Sequence, residues 1–220
     1  DVVFEDDDLI VINKPQGLAV HMGSGLQTGL IEALRWIKKE QGREEDFLEL
    51  AHRIDKDTTG CLVIAKTPLF LKYLQAEFKA RRVHKRYHAI VHGAWPEDIR
   101  EVNAPLLKRD IHEGEKIVTV DESGKASSTA FSLIKSTKAA SFIEASPLTG
   151  RTHQIRVHCQ YAGHPIVGDR KYTALLPNSL THVKTLCLHA ASIEFALEDG
   201  RKISVQAPLA EHMRQLLDSL

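Results

Sequence analysis

A chain of 220 residues, 43% of them hydrophobic, is an ordinary globular sequence with enough length for a sizeable core. Lysine plus arginine equals aspartate plus glutamate at 29 each, which argues against nucleic-acid binding by bulk charge and leaves room for a local basic face. No apolar stretch reaches the ~18 residues of a membrane span, and three cysteines in apolar segments (61, 159 and 187) read as reduced core thiols of a cytoplasmic protein.

Val2-Val3-Phe4 and Leu9-Ile10-Val11-Ile12 predict a hairpin around a solvated acidic turn, Asp6-Asp7-Asp8. Asn13-Lys14-Pro15-Gln16-Gly17 stops the second strand. Lys14 there is either a turn lysine in water or a contact to a site or phosphate. After a loop at His21-Met22-Gly23-Ser24-Gly25, Thr28 caps a predicted helix whose apolar face is Leu30, Ala33, Leu34 and Ile37, ending near Gly42.

Two apolar runs, Phe47 to Leu50 and Cys61 to Ala65, have strand character and bracket a polar stretch. That stretch holds His52, Arg53, Asp55, Lys56, Asp57, Thr58, Thr59 and Gly60. Asp57 to Gly60 reads as a tight turn, with Gly60 free to take positive φ. Asp55 precedes the turn between Arg53 and Lys56, cations that hold a carboxylate ionised and usable as nucleophile or base. On spacing alone a surface ion pair is the commoner meaning of such a pattern.

Thr67-Pro68 supplies an N-cap and a first-turn proline for a helix buried through Leu71, Leu74 and Phe78. Its end carries Lys79, Arg81, Arg82, Lys85 and Arg86, denser than capping requires, and favours an RNA-backbone contact. Along the strand Val83 to His92, Lys85, Tyr87, Ala89 and Val91 share the face with the better core character. His84, His88 and His92 lie about 13 Å apart per four steps on a strand, too far to share a metal.

Further strands are predicted at 116–120, 127–134 and 142–146. A turn at Thr149-Gly150 then leads into a helix with Ile155, Cys159 and Ala162 on one face, closed by Gly163. Arg151 sits at that junction. A strand at Leu186 to Ala190, a hairpin of Ile193 to Leu197 with Ile203 to Val205, and a helix from Glu211 to Leu217 complete an α+β pattern. No histidine or cysteine spacing fits a metal, and no phosphate-binding glycine loop or dinucleotide fingerprint occurs, so neither a metal nor an organic cofactor is expected.

His52-Arg53-Ile54-Asp55-Lys56-Asp57-Thr58-Thr59-Gly60 resembles the catalytic signature of the RluA-type pseudouridine synthases, His-Arg-Leu-Asp-x-x-Thr-Ser-Gly, with type-preserving changes at Ile54 and Thr59. Asn13-Lys14-Pro15, Lys85-x-Tyr87-x-Ala89 and Gly150-Arg151-Thr152-His153-Gln154-Ile155-Arg156 are similar to further segments of that family. The resemblance runs from Asn13 to Ala190. Its details, including Ala19-Val20-His21 and Ala104-Pro105-Leu106-Leu107-Lys108, are closest to members acting on large-subunit ribosomal RNA.

The resemblance implies a mixed, mainly antiparallel sheet flanked by helices and loops, with an active-site cleft across the sheet. It implies isomerisation of uridine in RNA, large-subunit ribosomal RNA first and transfer RNA as the alternative, without a cofactor, by a monomer. Asp55 would be the essential carboxylate, Arg151 its guanidinium partner, and Tyr87 the stacking platform for the base. Arg53 would fill the space left by the flipped nucleotide, and Ile155 would pack beside the base. Lys14, His52, Lys85 and Arg156 would be candidate RNA contacts. Relatives often carry an N-terminal S4-like RNA-binding module, and no such segment occurs in these residues. Residues 1–220 are therefore read as a catalytic domain, and the start at Asp1 as that of an excised fragment.

Two other classes remain open on residues alone. A non-catalytic RNA-binding or ribosome-assembly protein would form no pseudouridine. A retaining glycosidase would need a second carboxylate about 5 Å from Asp55, and the only one near in sequence, Asp57, is committed to the turn.

Overall fold

The computed structural model describes residues 1–19, 29–40, 42, 46–112, 115–173, 180 and 182–220. Its first elements are β1 (Val2–Glu5), β2 (Leu9–Lys14), α1 (Leu30–Glu40), β3 (Glu49–Leu50), β4 (Thr59–Ala65), α2 (Pro68–Lys79), β5 (His84–His92) and β6 (Glu101–Asn103). Then come β7 (Leu106–His112), β8 (Glu115–Val120), β9 (Ser128–Ser136), β10 (Ala140–Pro147), α3 (Gln154–Tyr161), β11 (Leu188–Ala196), β12 (Lys202–Gln206) and α4 (Glu211–Asp218). The class is the expected α+β, mostly antiparallel strands with few helices. Contacts divide the chain into two compact units, Asp1–His84 with Ala190–Pro208, and Lys85–His189 with Leu209–Leu220.

In the first unit the strand order is β1-β2-β4-β11, with β12 on β11 and β3 beside β4. The unbroken apolar runs of β2 and β4 suit interior strands covered on both faces. Leu9, Val11, Leu62, Val63 and Ile64 are fully buried. Their antiparallel register runs from Leu9 opposite Ala65 to Lys14 opposite Gly60, which brings Lys14 to the strand end where the Asp55 segment runs into β4. The first hairpin turns as expected, with Asp6 Oδ1 accepting from the amides of Asp8 and Leu9.

Thr67 Oγ1 accepts from Phe70 N and Pro68 opens α2, as the sequence predicts. The buried face is Phe70, Leu74 and Glu77, not Leu71 and Phe78, because Glu77 turns inward with a fork from Arg82. The helix ends in a Schellman arrangement, Arg82 N to Glu77 O and Arg81 N to Phe78 O, with Arg81 at φ 60° where glycine is usual. Arg82 is thus spent on Glu77, while Lys79, Arg81, His84 and Arg86 stay exposed. In α1 the buried residues are Leu30 and Ile31, and Ile37 is exposed. The expected Thr28 cap and the His21-to-Gly25 loop lie outside the described residues.

The second unit holds β5-β10-β9-β6 in order, the separate hairpin β7–β8, α3 and α4. Ala89, Ile90 and Val91 are all fully buried, so β5 is covered on both faces from its middle onward. They join one apolar cluster with Ile143, Ala145, Ile155, Cys159, Ile166 and Met213. The two strands expected at 186–190 and 193–197 are one, β11. No helix among the described residues is long and apolar enough to cross a membrane.

Candidate active site

The Asp55 segment is a compact turn in the first unit. Thr58 N donates to Asp55 O at 3.1 Å, closing a turn over 55–58, two residues earlier than expected. Thr59 and Gly60 already belong to β4. Gly60 takes the expected positive φ, +101°, though within β4 and not in the turn, and a Cβ there would lie 2.2 Å from the carbonyl oxygen of Ala190. Ile54 is buried, Asp55 half-buried and Arg53 exposed, so the apolar neighbour anchors the segment while the charged pair stays accessible. His52 Nε2 accepts from Val63 N at 3.1 Å, and its ring packs on Phe78 at 5.1 Å. That imidazole fastens the segment to β4.

Lys14 is fully buried, and its Nζ donates to the carbonyls of Pro15 (2.8 Å), Leu18 (3.0 Å) and Lys56 (2.8 Å). All three ammonium protons are spent inside the protein, which departs from the expected phosphate contact. Burial pushes its pKa down from 10.5 to about 8, against the opposing pull of Asp57 and Asp55. Lys14 therefore clamps the loop after β2 to the peptide that follows Asp55.

In the second unit Tyr87 sits on β5 opposite Ala145, half-buried against the apolar cluster that also contains Ile155. Lys85, one pleat earlier, has its Nζ 3.9 Å from where a Cβ on Gly150 would stand. It thus lies beside the residue that precedes Arg151. Burial lowers its pKa.

Arg151 is exposed. Its Nε donates to Ala126 O at 3.2 Å, leaving both Nη groups without a partner among the described residues. Its peptide is held by Gln154, whose Oε1 accepts from Arg151 N (3.0 Å) and Thr149 Oγ1 (2.7 Å). Gln154 Nε2 in turn donates to Ser128 O and Thr129 Oγ1, each at 2.9 Å. Arg156, expected as an RNA contact, forks onto the buried carboxylate of Asp169 at 2.7 and 2.8 Å with its guanidinium 5.0 Å from the Tyr172 ring centroid. It is a fastener of this unit and not an exposed cation.

Sequence reasoning missed Gln154, Asp169 and Tyr172. The glutamine is visible only as part of the motif, and the other two are far enough along the chain that only the fold pairs them with α3. Among the described residues no three His, Cys, Asp or Glu side chains come together as a metal site.

Residues 8–161 match the model of the family described as RNA pseudouridylate synthase. Ribosomal large subunit pseudouridine synthase C of Vibrio cholerae serotype O1 is 46% identical over 225 residues, covering 100% of this chain and 69% of that protein. The protein of the same name from Escherichia coli K12 is 42% identical with the same coverage. Among solved structures, human RNA Pseudouridylate Synthase Domain Containing 4 aligns with a TM-score of 0.82 at 27% identity, over 99% of this chain and 91% of that one.

Proposed function

The chain belongs to the RNA pseudouridylate synthase family, and from that premise we propose that it isomerises uridines of large-subunit ribosomal RNA, with Asp55 as the reacting carboxylate. The ribosomal substrate is supported by the names of the relatives at 42–46% identity. In this reaction the N1–C1′ bond breaks, the base turns, C5 bonds to C1′, the C5 proton leaves and N1 gains one. No atom is added, so the chemistry runs without a cofactor. The target base must leave its stack to be reached.

The observation that carries this reading is the fixing of a half-exposed Asp55 in a turn held by Lys14 through the Lys56 carbonyl and by His52 through Val63. A carboxylate so held meets the ribose with little reorganisation. It serves as nucleophile at C1′ or base at C2′, and both need the ionised form. Arg151, whose Nη groups have no partner among the described residues, is a further catalytic candidate, a guanidinium suited to a bidentate bond with an anionic group. Exposed Arg53 takes the space left by the flipped nucleotide. Tyr87 stacks on the base and Ile155 packs beside it. Lys85 serves the RNA backbone, and the protein acts as a monomer in the cytoplasm.

The test uses large-subunit ribosomal RNA transcribed with uridine tritiated at C5, which loses its label when C5 bonds the sugar. Asp55→Asn removes the charge and keeps the shape, so it is expected to abolish tritium release while RNA affinity stays within a few-fold of wild type. Full turnover by purified Asp55→Asn would remove the assignment.

A further inference from the structure

Arg151 to Gln154 form a turn, closed by Gln154 N donating to Arg151 O at 3.2 Å, in which His153 has φ 53° and ψ 19°. This is the left-handed region, where a turn of this kind ordinarily carries glycine. A histidine persists there only if its surroundings over-determine it. One side chain that holds it there is Tyr172, 2% exposed, whose hydroxyl lies 2.6 Å from His153 Nδ1. The same hydroxyl accepts from Val118 N in β8 at 3.1 Å. An amide can only donate, so the bond from Val118 leaves the hydroxyl hydrogen available to His153 Nδ1.

The Tyr172 ring is itself held, edge-on to His153 at 5.4 Å and beneath the Arg156 guanidinium. Arg156 is locked by Asp169, whose Oδ1 also accepts from the amides of Lys171 (2.9 Å) and Tyr172 (3.2 Å). A buried phenol thus joins three pieces of the second unit: the turn carrying Arg151, the loop from Asp169 to Tyr172, and the β7–β8 hairpin.

We propose that Tyr172 is a positioning residue for the isomerisation: through His153 it locks the left-handed turn that sets Arg151 and Ile155, and it ties that setting to the β7–β8 hairpin. This rests on the reading of Arg151 given above. The Gln154 clamp holds the Arg151 peptide from one side, and the Tyr172–His153 bond holds the far end of the same turn. Without the phenol the turn is free to relax toward ordinary helical backbone, and Arg151 loses its fixed aim while the fold and the RNA-facing charges remain.

The test compares three full-chain variants by single-turnover tritium release, RNA affinity and melting temperature. Tyr172→Phe keeps the ring under Arg156 and removes the hydroxyl. His153→Gly accepts the left-handed backbone and removes the ring nitrogen. His153→Asn accepts that backbone and offers a side-chain oxygen close to where Nδ1 stood. Tyr172→Phe and His153→Gly are each expected to slow the single-turnover rate tenfold or more with RNA affinity within twofold of wild type. His153→Asn should stay within threefold of the wild-type rate. Wild-type rates in Tyr172→Phe and His153→Gly, or equal rates for His153→Gly and His153→Asn, would overturn the proposal. Should Tyr172→Phe fail to fold, the glycine–asparagine comparison still decides. Arg151→Gln separates the two levels: if it keeps full rate, the underlying role of Arg151 fails; if it is slow while Tyr172→Phe and His153→Gly are fast, only the positioning role fails.

Discussion

Replacing Lys14 with methionine separates a positioning role from a merely stabilising one. The gap between the buried ammonium's pKa of about 8 and the ordinary 10.5 corresponds to about 3 kcal/mol of disfavour toward the charged form in the fold. Methionine has similar length and carries no charge, so that disfavour vanishes. Against it stand three carbonyls, of Pro15, Leu18 and Lys56, that lose a donor. Each such loss costs about 1 kcal/mol, more if no water replaces the donor. The two effects offset, and the variant's unfolding free energy at pH 7 should lie within about 2 kcal/mol of wild type. The Lys56 carbonyl, however, loses the clamp that fixes the peptide after Asp55. The single-turnover rate should fall at least tenfold while RNA affinity holds. Chemical denaturation and tritium release on the same preparation check both halves. A Lys14→Met protein with the wild-type rate would refute the clamp, and a stability loss above about 5 kcal/mol would refute the offset.

The same lysine makes a signed pH prediction. Its folded pKa lies below its unfolded one, so between about pH 8 and 10.5 the unfolded chain holds a proton that the folded chain has released. Raising pH through that window adds stability from this group, and Lys14→Met should abolish that increment in melts at pH 7.5 and 9.5. Asp169→Ala leaves the half-buried Arg156 charge without its fork and should cost about 3–5 kcal/mol, read from the denaturant midpoint. Gly60→Ala forces a methyl to 2.2 Å from the Ala190 carbonyl and should largely prevent folding. Gly163→Ala, with φ +84° and nothing within 4 Å, should cost only about 1–2 kcal/mol, and thermal melts of the pair would show the contrast.

The sequence was most informative where chemistry and local geometry coincide. The polar segment around Asp55, the capped start of α2, the hairpins and the turn into α3 could each be read from neighbouring residues. The errors share a cause, which is a partner outside the element that carries the residue. Gly60 reads as a turn residue because its true constraint, the Ala190 carbonyl, comes 130 positions later. Lys14 and Arg156 read as surface cations because lysine and arginine usually are, yet the carbonyls of Leu18 and Lys56 and the carboxylate of Asp169 bring them inside. The buried face of α2 is turned by Glu77, whose inward setting depends on Arg82 beyond the helix end. The left-handed His153 has no local signal, because the phenol that sustains it lies 19 residues on.

Asp55 is proposed to carry the conversion of uridine to pseudouridine in large-subunit ribosomal RNA. The most direct measurement maps pseudouridines in that RNA from cells lacking the protein, and from the same cells supplied with wild type or with Asp55→Asn. One or more positions are expected to lose the modification, regain it with wild type, and stay unmodified with Asp55→Asn. An unchanged map in the deficient cells, or restoration by Asp55→Asn, would contradict the proposal.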